Sequence, residues 1–201
     1  MTEFFSNDKK KFIFIHIPKT GGTSVKKILS DKVNINGFKV NGELVEYNKN
    51  THIGINKEQF EKYNDYFKFV FVRHPYDWIK SYYNFHLNKS KFYKNLTSKK
   101  IENTINISLD EWLDGLKKFN QTDFFTNGDE ILVNKVCRLE KFNEDLKYVL
   151  EKINLNNEFQ NIKMKESKKF NIDTIKNLND NQKKMIQKIC AKDFRLLNYK
   201  Y

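Results

Sequence analysis

The sequence predicts an α/β fold, a three-layer α/β/α arrangement around a central parallel sheet. Two continuous apolar runs, "FIFIHI" at 12–17 and "FKFVFV" at 67–72, lack polar alternation, as strands covered on both faces do. Each run passes through a short turn, "PKTGGTS" or "RHP", into a helix-forming stretch. A third run, "EILVNKVCRLE" at 130–140, leads into another helix. Strand, turn and helix in series imply parallel strands with helices packed on both faces.

Taken in order, Phe12–Ile17 is the first buried strand and Ser24–Ser30 a short helix. Residues 31–50 are polar and irregular, with a hairpin expected around "GFKVNGELVEY". Asn56 with Gln59 forms a capping-box pattern that opens a helix to about Tyr63. Phe67–Val72 is the second strand, and Pro75 sits where proline is tolerated, in the first turn of a helix to about Leu87. Residues 88–107 are rich in Lys, Asn and Ser and read as an excursion. Ser108 with Glu111 is a second capping box; a helix near Glu144–Ile153 follows the third strand. The closing stretch, 179–197, reads as one helix with Met185, Ile186, Ile189, Cys190 and Leu196 on its apolar face.

With 201 residues the chain reads as a single domain over 1–201, large enough for a substantial core. Aromatics make up 15% of it, which favours a folded chain over a disordered one. The formal charge of +12 favours anionic partners: nucleotides, nucleic acid, acidic glycans or a membrane surface. Lysines are spread over the whole length, however, so compositional bias explains the charge as well as a binding face does. Arginine occurs only at Arg73, Arg138 and Arg195, so its placement carries more information. Cys137 and Cys190 form no CxxC pair and read as reduced thiols, and the spacing of His and Cys offers no metal site. No run is long enough to span a membrane and nothing resembles a signal peptide.

The segment "KTGGTS" is the chemically informative one. Gly21 and Gly22 permit a tight turn whose amides converge at a helix start, a P-loop-like cradle for phosphate. The order is the reverse of GxxxxGK[ST], because Lys19 precedes the glycines. Lys19 can place a charge on a leaving phosphate, and Thr20, Thr23 and Ser24 can donate hydroxyl protons. The plainer alternative is a strand-to-helix turn with Thr23 or Ser24 as N-cap. Arg73 stands at the carboxyl end of the second strand, where open α/β sheets bind ligands, and Ser81 follows about two helical turns on. Two anion-binding elements at two strand ends suit a ligand with two separated anionic groups.

"FIHIPKTGGTS" and "FKFVFVRHPYDWIKSYY" resemble the signature segments of sulfotransferases that use 3′-phosphoadenosine 5′-phosphosulfate (PAPS), most closely bacterial carbohydrate sulfotransferase-like proteins akin to the heparan sulfate 2-O- and chondroitin/HNK-1 groups. "THIGINKEQFEKYNDYFKF", "QTDFFTN", "VCRLEKFNEDL" and "AKDFRLLNYKY" are similar to later landmarks of that family. The resemblance implies that Lys19, Thr20, Gly21, Gly22, Thr23 and Ser24 hold the 5′-phosphosulfate, with Lys19 on the leaving oxygen. Arg73 and Ser81 would hold the 3′-phosphate, and His52 would be the catalytic base. His16, beside the loop, is a second candidate base or a residue that orients the loop. Relatives read Arg-Asn/Asp-Pro-x-x-Arg where this chain has His74 and Trp78; the second arginine is missing, and Lys80 is a candidate substitute. Ser167, Lys168 and Lys169 lie where relatives carry a basic loop.

The implied reaction needs no metal and releases adenosine 3′,5′-bisphosphate; the implied acceptor is a carbohydrate or another hydroxyl compound. A kinase or NTPase is the alternative, weakened by the absence of GxxxxGK[ST] and of a clear Walker B acid. A basic nucleic-acid-binding module is a further alternative, although no recognised module is present. The expected setting is cytoplasmic, with no specific nucleic-acid partner and with peripheral membrane contact through a lipid-linked acceptor. His74, His86, Arg138, Trp78, Tyr82 and Tyr83 read more readily as structural residues than as ligand contacts.

Overall fold

The computed structural model describes residues 3–32, 36–38, 61, 63–94, 107–155 and 175–201. The central sheet comprises β1 (Glu3–Asn7), β2 (Phe12–His16), β3 (Asn36–Phe38), β4 (Phe67–Val72) and β7 (Lys135–Arg138), in the order β3-β1-β2-β4-β7. β2, β4 and β7 run parallel, with Phe14 opposite Phe69 and Phe71 opposite Cys137, whereas β1 and β3 add antiparallel strands. The predicted class thus holds: a central parallel sheet flanked by helices. A separate small ribbon pairs β5 (Thr126–Asn127) with β6 (Glu130–Ile131).

The helices are α1 (Gly22–Lys32), α2 (Pro75–Lys94), α3 (Leu109–Asp114), α4 (Phe142–Lys152), α5 (Asp180–Ile189) and α6 (Ala191–Leu197). The chain divides into two compact units. One holds Met1–Arg73 with Gln121–Lys165, the other His74–Asn120 with Glu166–Tyr201.

In the first unit, the core forms on one face of the sheet. Phe12, Phe14, Phe69, Phe71 and Cys137 meet Val25, Ile28 and Leu29 of α1 and Phe142, Leu146, Val149 and Leu150 of α4. Phe14 stacks on Phe69 with centroids 5.1 Å apart, and Phe71 meets Phe142 at 5.3 Å. Burying a side chain of this size stabilises by about 1.5–3 kcal/mol. On the opposite face Ile13, Ile15, Val70 and Val72 are also fully buried. Burial on both faces is why these strands read as unbroken apolar runs. Burial pushes the Cys137 thiol far above its ordinary pKa, leaving it protonated and inert.

Asp145 of α4 fixes the end of β7: its carboxylate accepts the Arg138 N–H at 2.6 Å and pairs with Lys135 at 3.0 Å. Asp145 is buried, so Asp145→Ala strands both donors and should cost about 1–3 kcal/mol. The check is urea unfolding, read as a lower midpoint at an unchanged slope.

The second unit is organised on aromatic rings. Trp78 is fully buried and stacks on Phe119 at 4.6 Å, and Tyr82 meets the same ring at 4.9 Å. Tyr83 donates its hydroxyl proton to the Ile107 carbonyl at 2.7 Å. α3 and α5 both start with complete capping boxes, Ser108 with Glu111 and Asn179 with Gln182. Gln182 also donates to Asp110 at 2.9 Å, joining the two helix starts. Cys190 leaves the helical region and donates its thiol proton to Phe119, and α6 ends at Asn198 in a left-handed conformation.

Several expectations are corrected. β1 is a strand that the polar N-terminal residues did not announce; its hairpin turn uses Lys11 at φ 47° in place of glycine. The helix expected to stop near Leu87 continues to Lys94, since Lys, Asn and Ser without Gly or Pro do not terminate it. The third strand is shorter than 130–140, because residues 130–131 pair instead with β5. The single closing helix is two, broken at Cys190. Of the hairpin expected around residue 37, only Asn36–Phe38 are described, and they pair with β1. The capping box at Asn56 lies outside the described residues.

Candidate active site

At the end of β2 the chain turns through Ile17–Gly21 into α1. Lys19 at φ 70° and Gly21 at φ 83° flank Thr20, so left-handed residues alternate with an ordinary one. Such alternation turns successive N–H groups towards one side and makes an anion-binding concavity. A lysine in this region costs about 1 kcal/mol or more, strain that folds retain mainly at functional positions. Thr20 is fully buried and donates its hydroxyl proton to the Ile17 carbonyl at 2.9 Å. Its side chain therefore locks the turn; the hydroxyl expected to donate to a ligand already has an acceptor.

Gly21 is the N-cap of α1, its carbonyl accepting from Ser24 at 2.9 Å and Val25 at 3.3 Å. A glycine cap has no side chain to satisfy the first helical amides, those of Gly22 and Thr23. The first turn of α1 also has no acidic residue, whereas α3 and α5 begin with acidic residues inside capping boxes. Thr23 is exposed and Ser24 half-buried. The start of α1 is thus arranged to receive an anion from outside.

His16 lies directly beneath this helix start. A Cβ added to Gly22 would come within 1.8 Å of His16 Cδ2, so only glycine fits against the ring. The ring also stacks on Phe14, centroids 6.0 Å apart at 23°. The His16 ring thus packs under the helix start.

Arg73 is the residue after β4, half-buried, on the neighbouring parallel strand. Its main chain is held by Gln121: the Arg73 N–H donates to Gln121 Oε1 at 2.8 Å, and Gln121 Nε2 donates to the Arg73 carbonyl at 2.7 Å. Burial first, and the Arg73 guanidinium second, hold the Lys19 ammonium below the ordinary lysine pKa. A neighbouring cation disfavours the charged form of a lysine, and an anion bound beside it favours that form. The sign follows from linkage: the unfolded chain holds the Lys19 proton more tightly. The penalty is therefore full below the lowered pKa and is relieved as pH rises towards the ordinary value.

Of the predicted residues, the structure brings together His16, Lys19, Thr20, Gly21, Gly22, Thr23, Ser24 and Arg73 in the first unit. Ser81 belongs to the second unit, half-buried on α2. His52 and the segment Ser167–Lys169 lie outside the described residues. His74 caps α2, its Nδ1 accepting the Tyr76 N–H at 3.3 Å, and its Nε2 meets the Lys200 carbonyl at 3.2 Å. Lys80, the candidate substitute cation, pairs with Asp77 at 2.7 Å and reaches the Lys176 carbonyl at 3.3 Å. Trp78, in place of the second arginine, is core. Gln121 opens the segment "QTDFFTN", similar to a family landmark, but its residue type alone assigns it no role; a polar residue between Phe119 and Phe124 announces only that something there needs a partner. Among the described residues no group of His, Cys, Asp and Glu is placed to hold a metal, and no helix is long and apolar enough to cross a membrane.

The model of the sulfotransferase family matches residues 2–200, spanning both compact units. The chain belongs to the sulfotransferase family and is accordingly a sulfuryl-transferring enzyme. No curated protein and no solved structure matches the chain.

Proposed function

We propose that this chain transfers the sulfuryl group of PAPS to a hydroxyl of a carbohydrate acceptor. The observation that carries the reading is the side-by-side ending of the parallel strands β2 and β4, which sets the Lys19 loop and its glycine-capped helix start next to Arg73. A donor with a phosphosulfate at one end and a 3′-phosphate at the other satisfies both cations. Lys19 and the amides of Gly21–Ser24 take the phosphosulfate end; Arg73 takes the 3′-phosphate.

His52 accepts the proton of the attacking hydroxyl. The acceptor oxygen forms a bond to sulfur as the bond from sulfur to the 5′-phosphate oxygen breaks, and Lys19 stabilises the charge left on that oxygen. His16 holds the loop from below. Adenosine 3′,5′-bisphosphate is the product, and these residues supply the chemistry without a metal. The narrower kinship with heparan sulfate 2-O- and chondroitin/HNK-1 sulfotransferases, carried by the two signature segments, favours a sugar acceptor. A cytoplasmic setting, with lipid-linked or surface glycan precursors as acceptors, completes the reading. If His52→Ala turns over at a near-normal rate while Lys19→Ala does not, the base is another group.

Thermal shift separates this reading from a kinase or NTPase: adenosine 3′,5′-bisphosphate should raise the midpoint and Mg-ATP should not. A midpoint raised by Mg-ATP alone overturns it. A pH series is the sharper form. Anion binding restores the charge on Lys19, so affinity should fall as pH rises through the lowered Lys19 pKa. The series is measured above about pH 7, where the ligand's phosphates have already lost their second protons. Lys19→Met should remove this pH limb; a limb of equal size in that variant assigns it to another group.

A further inference from the structure

We infer that Gln121 is a positioning residue for Arg73, fixing the guanidinium at the anion site by clamping the arginine's own peptide groups. The inference rests on the function proposed above and assigns Arg73 a support that its own strand does not provide. β4 is paired with β7 only as far as Val72, opposite Arg138, so Arg73 is the first residue beyond the sheet ladder. There the Gln121 carboxamide takes the place of a neighbouring strand. Its oxygen accepts the Arg73 N–H at 2.8 Å and its nitrogen donates to the Arg73 carbonyl at 2.7 Å. Among side chains in their ordinary neutral-pH forms, only the primary amides of Asn and Gln offer a donor and an acceptor side by side in this way.

The clamp is itself anchored. Gln121 is fully buried and leads into the turn Thr122–Phe124, where the Phe124 N–H returns to the Gln121 carbonyl at 3.1 Å. The buried Thr126 hydroxyl donates to the Thr122 carbonyl at 2.8 Å, closing the same turn. A rigid turn therefore holds a rigid amide, which holds the backbone from which the arginine projects. Supports of this kind decide whether a charged group sits in its productive place or loosely near it. The Arg73 guanidinium also disfavours the charge on Lys19, so an unclamped Arg73 could relax away from it when the anion leaves.

The experiment is isothermal titration of adenosine 3′,5′-bisphosphate and of adenosine 5′-monophosphate into wild type, Gln121→Met, Gln121→Glu, Arg73→Met and the Arg73→Met/Gln121→Met pair. Gln121→Met should weaken the bisphosphate by about tenfold or more and leave the monophosphate unchanged, the scale of losing a buried hydrogen-bonded pair. It should cost nothing further once Arg73 is gone. Gln121→Glu keeps the volume but opposes the Arg73 carbonyl with an oxygen, so it should show the same selective loss and serves if the methionine variant does not fold. Equal weakening of both nucleotides, or a loss that adds fully to that of Arg73→Met, overturns the assignment. If wild type binds neither nucleotide, the proposed function fails on its own. Gln121 is then judged by NMR titration of the Lys19 ammonium. A pKa that moves up towards the ordinary value in the Gln121 variant supports the clamp, and an unchanged one refutes it.

Discussion

Lys19→Met should lower the rate of sulfuryl transfer by about 10²–10³-fold, the scale of losing one preorganised charge aimed at a developing anion. The same variant should be as stable as wild type, or more so, in the absence of ligand. The native lysine is half-buried beside Arg73, and its charge is disfavoured there by desolvation and by that arginine. Methionine preserves the length and apolar stem while removing the conflict, so activity and stability move in opposite directions. A lysine that served only to fold the loop would show the reverse: stability lost with the charge and turnover changed in proportion. Steady-state transfer rates together with thermal midpoints of the free protein decide between the two.

The second large effect belongs to Gly22. An alanine methyl there would lie 1.8 Å from Cδ2 and 2.3 Å from Nε2 of His16, closer than any real contact. The clash involves the body of a ring that is stacked on Phe14, so a small adjustment of a flexible tip does not relieve it. Gly22→Ala should therefore cost about 1–3 kcal/mol of stability and, by tilting the start of α1, weaken adenosine 3′,5′-bisphosphate. Pairing it with His16→Ala should return the stability to that of His16→Ala alone, because the methyl then occupies vacated space. Urea unfolding of the four proteins gives this coupling directly. Additive losses would mean that the ring and the helix start do not touch.

The parts of the fold that the sequence announces are those in which one residue type has one physical consequence. β2 and β4 are legible because strands buried on both faces are almost wholly apolar, Lys68 and His16 being the exceptions here, and the loop between β2 and α1 because two adjacent glycines have few other uses. The capping boxes at Ser108 and Asn179 likewise show their spacing. β1 is not announced because its turn, "DKKK" at 8–11, contains no Gly or Pro, and the left-handed position falls on Lys11, whose identity signals nothing. The break at Cys190 has no breaker residue; the buried thiol bonded to Phe119 marks it, a contact between residues far apart in sequence. At the site, Lys19 and Arg73 could each be placed at a strand end, and the parallel pairing of β2 with β4 brings those ends side by side. Gln121 could not be placed, because its function lies wholly in the peptide groups of a residue 48 positions away.

The most direct measurement is a crystal structure of the chain with adenosine 3′,5′-bisphosphate. The 5′-phosphate should lie against Lys19 and the amides of Gly21–Ser24, and the 3′-phosphate on Arg73 with its backbone still held by Gln121. A nucleotide bound elsewhere, or one that touches only one of the two cations, would contradict it.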